Sequence, residues 1–400
     1  MMYQVVIIGA GPVGGRLATE LASRGISTLM VEEHAEIGRP FQCAGLVNPP
    51  AMEKVNLQET ILQNVDGALI HSPSGIMVPV GKDGHTRTHV VCRKRFDQGV
   101  VAQAMEAGAH LWLMSKPIEA EVSEDHVDLK IEREGEIVDL QCDLLIGADG
   151  AHSWTRRHFK MGRPKEMMIG FQADVSGLTG KDNWLEMYTG RDIAPGLFAW
   201  VIPTGDNTHR IGVWSRPKDL EGRSMEQCYD ALIEHPLWKE RFADAREIAR
   251  YCGPVPCGVI KKPFKNRVMV IGDAAGMAKP TTGGGIGPGF RQVEAIIEKL
   301  VKAIEKGRLR SSDLASVCKP FKAFRKEQDR ARALRDLIVT IPDDDELDSH
   351  FRMFNRPEIL ELINLEGDIE HPVPLGMTLL RKVPEFRKLA VKAGFKLLFA

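Results

Sequence analysis

The chain has 400 residues, a length that favours two domains or one large domain of two parts. Its content of 43% hydrophobic and 27% charged residues is typical of a globular enzyme, and its formal charge of −1 gives no reason to expect a nucleic-acid partner. No apolar run reaches about 18 residues, so no transmembrane helix is predicted. The seven cysteines include no C-x-x-C pair and favour neither a disulfide framework nor a metal site, although Cys252 and Cys257 are candidates for a redox pair.

The first predicted element is a strand at residues 5–8, within the opening sequence YQVVIIGAG. Because this opening lacks a charged leader and a cleavage site, it indicates a strand instead of a signal peptide, and we expect a cytoplasmic protein. A glycine turn, a helix that ends at Gly25 and a second strand that ends at Glu32 follow. This order predicts a dinucleotide-binding unit.

The residues of this turn are assigned to the cofactor: Gly9, Gly11, Pro12, Val13 and Gly14. Gly9 permits the tight turn, Gly11 lets the backbone approach a pyrophosphate, and Gly14 lets the helix pack on the strand. The helix N-terminus favours phosphates, and Glu32 would accept hydrogen bonds from ribose hydroxyls. A purely structural glycine turn is the alternative, and the fingerprint alone does not separate FAD from NAD.

Two later predicted strands end in the same kind of turn. Residues 144–146 lead to a Gly-Ala-Asp-Gly turn that contains Asp149, and residues 268–271 lead to Asp273. The Asp273 carboxylate can accept hydrogen bonds from ribityl hydroxyls. A glycine cluster follows, in which the backbone N–H groups of Gly284, Gly285 and Ile286 can face the flavin edge that gathers negative charge on reduction. Three glycine and acid strand ends in one chain favour FAD over simple turns.

These motifs resemble the flavoprotein monooxygenase superfamily with the p-hydroxybenzoate hydroxylase fold, in which VVCRKRF places Arg93 as the flavin-contacting arginine. Within that superfamily, RPFQCAG, GDAAGMAKPTTGGGI and FAWVIP are similar to archaeal geranylgeranyl reductases, which saturate isoprenoid lipid chains. Phe198 and Ile202 replace a tyrosine and a phenylalanine of the family's substrate motif. Gly45 stands where many members carry an acid.

The resemblance implies an α/β fold with three parts. A Rossmann-like FAD-binding domain is expected at 1–165 together with 250–300, an inserted antiparallel-sheet substrate domain at 166–249, and a helical C-terminal region at 301–400. Successive strands are predicted between 168 and 216, with a hairpin at residues 203–207. Their aromatic residues, among them Phe171 and Trp184, would line a pocket for a prenyl chain, or would simply fill the core.

The substrate residues implied by the family motif and the sheet are Phe198, Trp200, Pro203 and Trp214, and Trp200 is the tryptophan that the motif retains. The resemblance also places Arg330 near the lipid phosphate, with a solvated basic helix face as the alternative. The basic amphipathic stretch 381–400 could lie on an anionic membrane surface or dock on the protein's own core.

In the family, the segment of Cys43 and Ala44 lies beside the isoalloxazine ring. A thiol at Cys43 could donate a proton to the alkene, form a reversible disulfide that gates access, or serve as a small packing residue.

The resemblance therefore implies an FAD-dependent reductase of geranylgeranyl double bonds in ether phospholipid precursors, with hydride from the reduced flavin N5 and a proton added to each double bond. The electron donor would be ferredoxin, a deazaflavin or NADPH, and the enzyme could touch the inner face of the membrane. Two alternatives stay open: an FAD-dependent aromatic hydroxylase or monooxygenase, and a non-catalytic flavoprotein that binds prenyl lipids.

Overall fold

The computed structural model describes residues 2–40, 43–341, 343–367 and 372–392. The strands are β1 (Met2–Ile8), β2 (Thr28–Val31), β3 (Leu46–Val47), β4 (Ile61–Val65), β5 (Gly67–His71), β6 (Met77–Gly81), β7 (Thr88–Val91), β8 (His110–Trp112), β9 (Ser115–Val122), β10 (Val127–Arg133), β11 (Glu136–Gly147), β12 (Glu166–Ser176), β13 (Trp184–Tyr188), β14 (Ala199–Gly205), β15 (Thr208–Ser215), β16 (Arg246–Cys257), β17 (Phe264–Lys265) and β18 (Val268–Val270). The α-helices are α1 (Pro12–Ala22), α2 (Pro49–Glu53), α3 (Arg93–Glu106), α4 (Trp154–His158), α5 (Met225–Ile233), α6 (Lys239–Phe242), α7 (Ile286–Glu305), α8 (Ser311–Val317), α9 (Phe321–Ile338), α10 (Asp344–Phe354), α11 (Pro357–Glu366), α12 (Pro372–Lys382) and α13 (Pro384–Lys392). Short 3-10 helices span Gln58–Thr60, Pro217–Asp219 and Gly272–Ala275.

An eight-stranded sheet carries the predicted dinucleotide-binding unit. Its order is β17-β18-β11-β1-β2-β8, with β9 and β10 attached to β11 as an antiparallel extension. The pairs β18–β11, β11–β1, β1–β2 and β2–β8 are parallel. Val5, Val6 and Ile7 of β1 are fully buried because helices or further chain cover both faces of the sheet. Since carboxyl ends of parallel strands meet at one edge, the turns after β1, β2, β11 and β18 lie along the same edge.

A seven-stranded sheet has the order β16-β12-β15-β14-β13-β5-β6. Its pairs are antiparallel apart from β13 with β5, which are parallel. The sheet takes β5 and β6 from residues 67–81 and extends through β16 to Cys257, so it draws on chain outside 166–249. The predicted domain limits at 165 and 249 remain a prediction.

The predicted hairpin joins β14 to β15. Asp206 and Asn207 both have positive φ, at 51° and 57°, the conformation that a two-residue hairpin turn requires. One face of this sheet packs on α5 through Ala199, Val201 and Val213. Because side chains alternate along a strand, the residues between these face the other way, and the site lies on that side.

The remaining elements complete the cores. A three-stranded sheet has the order β3-β7-β4, and α1 and α7 pack together against the eight-stranded sheet. Helices α9, α12 and α13 share a separate apolar cluster that includes Leu334, Leu379 and Phe386. No helix among the described residues is long and apolar enough to cross a membrane.

The expected redox pair of Cys252 and Cys257 is wrong. Both lie on β16, where five residues span ~16 Å, far beyond the reach of a disulfide. Cys252 is exposed and Cys257 is buried, as odd spacing on one strand dictates.

Candidate functional site

The first glycine turn is closed on one side and open on the other. A Cβ on Gly9, whose φ is +97°, would lie 2.6 Å from the Ala148 carbonyl oxygen, and one on Gly14 would overlap the Gly9 carbonyl oxygen. A Cβ on Gly11 would meet nothing within 4 Å. The turn therefore packs tightly against the loop after β11 and leaves open space at Gly11, where a phosphate could approach the N-terminus of α1.

Glu32, at the end of β2, is tied to this turn. Its Oε2 accepts a hydrogen bond from the Ala10 N–H at 3.0 Å, and its Oε1 accepts one from the His34 N–H at 3.1 Å. The His34 Nδ1 lies 2.6 Å from the same Oε1. Oε2 has a second lone pair, so Glu32 can still accept a hydrogen bond from a ribose hydroxyl.

Asp149 has a role within its own loop. Its Oδ2 accepts hydrogen bonds from the Thr155 N–H at 2.8 Å and the Thr155 hydroxyl at 3.0 Å, at the start of α4. Burial raises the pKa of this carboxyl above its ordinary value. The structure thus gives Asp149 a local structural function, and its predicted contact with the cofactor stays a prediction.

Asp273 is the contrasting case. Burial raises the pKa of its carboxyl to about 6, against the lowering effect of Arg93. Among the described residues, no group donates a hydrogen bond to this carboxylate, while a Cβ on Gly285 would lie 2.6 Å from its Oδ1. Gly285 precedes α7, whose first N–H groups have no partner inside the helix.

Val13 packs the glycine turn after β1 against the chain that follows β18 and against the start of α7. A Cβ on Gly289 would overlap this side chain, and one on Gly272 would lie 3.3 Å from it. The open space at Gly11, the unpartnered carboxylate of Asp273 and the free start of α7 therefore lie on one connected edge. These donors and acceptors fit a flavin dinucleotide, whose phosphates, hydroxyls and ring edge need them.

Cys43 lies in a small polar cluster. Its Sγ accepts a hydrogen bond from the Gly45 N–H at 3.3 Å and also contacts the Arg93 guanidinium. Arg93 binds both oxygens of Asp97, with Nε to Oδ1 at 2.9 Å and Nη2 to Oδ2 at 2.7 Å. Burial alone would lower the pKa of Arg93, but Asp97 and Cys43 raise it above its ordinary value. The preceding residues 41 and 42 lie outside the described chain.

Arg210 is the site residue that the sequence analysis missed. It is 5% exposed, and its Nη1 donates to the Ala44 carbonyl oxygen at 2.8 Å and to the Val91 carbonyl oxygen at 3.3 Å. Its Nε lies 3.9 Å from the Asp174 carboxylate. A Cβ on Gly45 would overlap the Arg210 guanidinium, which explains a glycine at that position. The available signal was an arginine beside the apolar run IGVW in the stretch HRIGVWS.

The aromatic residues predicted for the substrate lie beside Gly283 and Ala44, next to the edge that would hold the cofactor. A Cβ on Gly212 would overlap the Trp200 ring. Trp200 Nε1 donates to Gln172 Oε1 at 3.3 Å, and the ring shares an apolar cluster with Ala44. Phe198 contacts Trp214 edge to face, with 5.5 Å between ring centroids. Trp214 in turn lies 3.3 Å from where a Gly283 Cβ would be.

Three other predicted lining residues lie elsewhere. Phe171 packs on α5, with its ring centroid 5.2 Å from that of Tyr229, and Pro203 lies on the same side of the sheet because it alternates with Ala199 and Val201 along β14. Trp184 donates from Nε1 to Asp83 Oδ1 at 2.6 Å, on β13 opposite Gly67 of β5. The alternation of strand side chains separates Phe171 and Pro203 from Trp200, which a motif alone could not reveal.

Two predictions concern the C-terminal region, one for Arg330 and one for the stretch 381–400. Arg330 lies half-buried on α9 and has no hydrogen bond or ion pair with the cluster around Cys43, as far as the described residues extend. In the stretch 381–400, Phe386 is fully buried against Leu334 and Leu379, which favours docking on the protein's own core. Lys396, Phe395 and Leu398 of that stretch lie outside the described residues.

Comparisons with known proteins agree with this geometry. The family model described as FAD binding domain matches residues 2–316. A digeranylgeranylglycerophospholipid reductase of Methanocaldococcus jannaschii is 32% identical over 293 residues, which are 71% of this chain and 73% of that protein. A digeranylgeranylglycerophospholipid reductase 2 of Methanopyrus kandleri is 31% identical over 72% of this chain and 74% of its own length.

A solved structure with the same fold is a geranylgeranyl bacteriochlorophyll reductase-like protein from Thermoplasma acidophilum. It superimposes with a TM-score of 0.85 at 24% identity and covers 98% of this chain and 99% of its own. The expected α/β fold with its Rossmann-like FAD-binding part is thereby confirmed.

Proposed function

Since the chain belongs to the digeranylgeranylglycerophospholipid reductase family of proteins with an FAD binding domain, we propose that it saturates geranylgeranyl double bonds of archaeal-type ether phospholipid precursors. It is an FAD-dependent oxidoreductase. The substrate and the steps below are our proposal.

One observation carries the choice of substrate. Phe198, Trp200 and Trp214 form an aromatic patch on one face of the seven-stranded sheet, and this patch adjoins both Gly283 before α7 and Ala44 beside Cys43. A prenyl chain lying along this face would place a double bond between the cofactor edge and the Cys43 thiol. An aromatic patch of this kind suits a hydrocarbon chain, while Gln172 and Arg210 on the same face already bind Trp200 Nε1 and the Ala44 carbonyl oxygen.

The FAD anchors follow from the geometry of the connected edge. We propose that the N-terminus of α1 at Gly11 binds the pyrophosphate, that Glu32 binds the ribose hydroxyls, and that Asp273 accepts from the ribityl hydroxyls. The N–H groups at Gly284 and Ile286 would face the ring edge.

When bound and reduced, FAD would supply the hydride for one alkene carbon. An isolated alkene accepts hydride poorly, so the protein must hold it in position and deliver a proton to the other carbon. We assign that proton to Cys43 Sγ. The negative charge left on sulfur would face the Gly45 N–H and the Arg93 guanidinium, while Arg210 keeps the turn in place through the Ala44 carbonyl oxygen.

Further parts of the proposal concern partners. An electron donor must reduce the cofactor, and ferredoxin, a deazaflavin and NADPH are the candidates. Arg330 as a contact of the lipid phosphate, and peripheral contact with a membrane surface, also remain proposals. Each candidate donor can be tested by mixing it anaerobically with the oxidised protein and recording loss of the flavin absorbance.

The function is tested by an anaerobic turnover experiment. The purified holoprotein is reduced with dithionite, mixed with digeranylgeranylglycerol phosphate, and followed by flavin absorbance and lipid mass. We expect reoxidation, with a gain of two hydrogens per event. In Cys43→Ser, whose cofactor anchors are intact, the reoxidation rate should fall while FAD stays bound.

Two outcomes would overturn the proposal. A flavin that stays reduced until air enters would favour an oxygen-using hydroxylase, and the product would then gain an oxygen atom. Lipid binding without any change in flavin redox state would favour the non-catalytic binding protein.

A further inference from the structure

One buried side chain outside the matched FAD-binding region holds the loop that leads to α7. The family match ends at residue 316, yet Gln328 of α9 is only 6% exposed. Its Oε1 accepts a hydrogen bond from the Val259 N–H at 2.9 Å. Its Nε2 donates to the carbonyl oxygens of Met277 at 2.9 Å and Ala278 at 3.1 Å. One amide therefore joins the chain after β16 to residues 276–285, here called the cofactor loop.

A second side chain of α9 holds the same loop two helical turns further on. Arg335 Nη1 donates to the Pro280 carbonyl oxygen at 2.9 Å, and its Nη2 donates to Glu166 Oε1 at 3.0 Å. Residues seven apart share one helix face, so Gln328 and Arg335 point to the same side. Because Glu166 begins β12, α9 connects the cofactor loop to the seven-stranded sheet.

The cofactor loop is also held by its neighbours in the chain, through a β-bridge between Ala278 and Cys257 and a hydrogen bond from Met277 N to Gly272 O at 3.1 Å. Its internal backbone hydrogen bonds run from Lys279 N to Gly284 O at 3.1 Å and from Gly283 N to Lys279 O at 2.9 Å. Gly276, with φ of +80°, gives no rigidity of its own. The carbonyl groups that Gln328 and Arg335 bind set the orientation of the first half of the loop. The second half ends at Gly285, against Asp273 and at the start of α7.

We propose that Gln328 is a positioning residue for the cofactor. It fixes the cofactor loop from outside the FAD-binding region, so that the N–H groups at Gly284, Gly285 and Ile286 face the flavin edge. It acts through the loop and takes no part in the chemistry. This inference rests on FAD binding alone and does not depend on the proposed lipid substrate.

The test compares four variants of the full chain. Gln328→Glu keeps the acceptor for Val259 but sets a carboxylate against two carbonyl oxygens, Gln328→Met keeps the volume and loses both functions, and Gln328→Asn keeps the amide on a shorter side chain. Lys322→Ala, on the exposed side of α9, is the matched control. FAD affinity is measured by fluorescence titration of the apoprotein, and the flavin midpoint potential is measured on the holoprotein.

We expect the dissociation constant of FAD to rise about tenfold or more in Gln328→Glu and Gln328→Met, which is about 1.4 kcal/mol. The midpoint potential should fall in both, because misaligned donors stabilise the reduced flavin less. Gln328→Asn should lie between these variants and the wild type, and Lys322→Ala should match the wild type in both measurements.

Thermal unfolding separates positioning from packing. If the Gln328 variants unfold at lower temperature but keep the affinity for FAD and the midpoint potential of the wild type, the inference is wrong and Gln328 only stabilises the fold. If Gln328→Glu and Gln328→Met do not fold, the same two measurements on Gln328→Asn decide. No lipid is present, so a failure of the reductase proposal would leave these results unchanged.

Discussion

Replacing Asp273 by Asn removes a charge that is half-buried in the folded chain and has no hydrogen-bond donor among the described residues. Burial raises the pKa of this carboxyl from 3.8 to about 6. At about 1.36 kcal/mol per pKa unit, the ionised form costs ~3 kcal/mol in the folded apoprotein above about pH 7. Because the pKa of Asp273 is higher in the folded state than in the unfolded state, the free energy of unfolding of the wild type falls as pH rises from 3.8 to about 6. The Asn variant has no such loss.

The expected result is therefore a pH-dependent difference in stability. Near about pH 4 the variant and the wild type should have similar free energies of unfolding, and by about pH 7.5 the Asn variant should be more stable by ~3 kcal/mol. Urea unfolding of both apoproteins across this range measures the difference. The pH dependence that other titratable groups give to the free energy of unfolding cancels in the difference, because both proteins contain those groups.

FAD binding should change in the opposite direction. A carboxylate that accepts from hydroxyl groups contributes about 1.5–3 kcal/mol per hydrogen bond, so the variant should bind FAD ~10- to 100-fold more weakly at about pH 7.5. A difference in unfolding free energy that is flat across the pH range, or an unchanged affinity for FAD, would refute the reasoning that Asp273 is a buried acceptor reserved for the cofactor.

Three further predictions concern the neighbouring residues. Arg210→Met should slow alkene reduction at least ~10-fold with FAD still bound, because the Ala44 carbonyl oxygen loses a charged donor that contributes ~1.5–3 kcal/mol. A reduction rate restored by added guanidinium would support this prediction, and an unchanged rate would contradict it. Trp200→Ala should raise KM for the prenyl lipid ~10-fold or more, through loss of apolar contact area, with Trp200→Phe intermediate; equal KM values would remove this residue from the lipid surface. Gly285→Ala should abolish FAD retention after gel filtration, because its Cβ would lie 2.6 Å from Asp273 Oδ1, and a yellow, fully loaded variant would disprove that contact.

Local patterns in the sequence predicted the first strand, glycine turn and helix, and the structure contains them at β1, the turn of Gly9 and α1. Gly9 and Glu32 are close in the chain. The turn at Gly9 and the position of Glu32 at a strand end depend on neighbouring residues only. The same holds for the Asp206 and Asn207 hairpin. The aromatic residues predicted for the substrate do not all lie on one face, since Phe171 packs on α5 in the structure. A motif counts positions along a strand, but which face meets the site depends on the register between strands.

The sequence by itself determined the class of cofactor and the order of the elements that bind it, because glycine spacing and strand-tipping acids act through backbone geometry within short segments. Only the tertiary structure decided what surrounds Cys43 and the cofactor loop. Arg210 reaches Ala44 across 166 residues of chain, and Gln328 reaches Met277 across 51. Such contacts arise from how sheets and helices pack, and no local pattern encodes which buried carbonyl group a distant arginine or glutamine will bind.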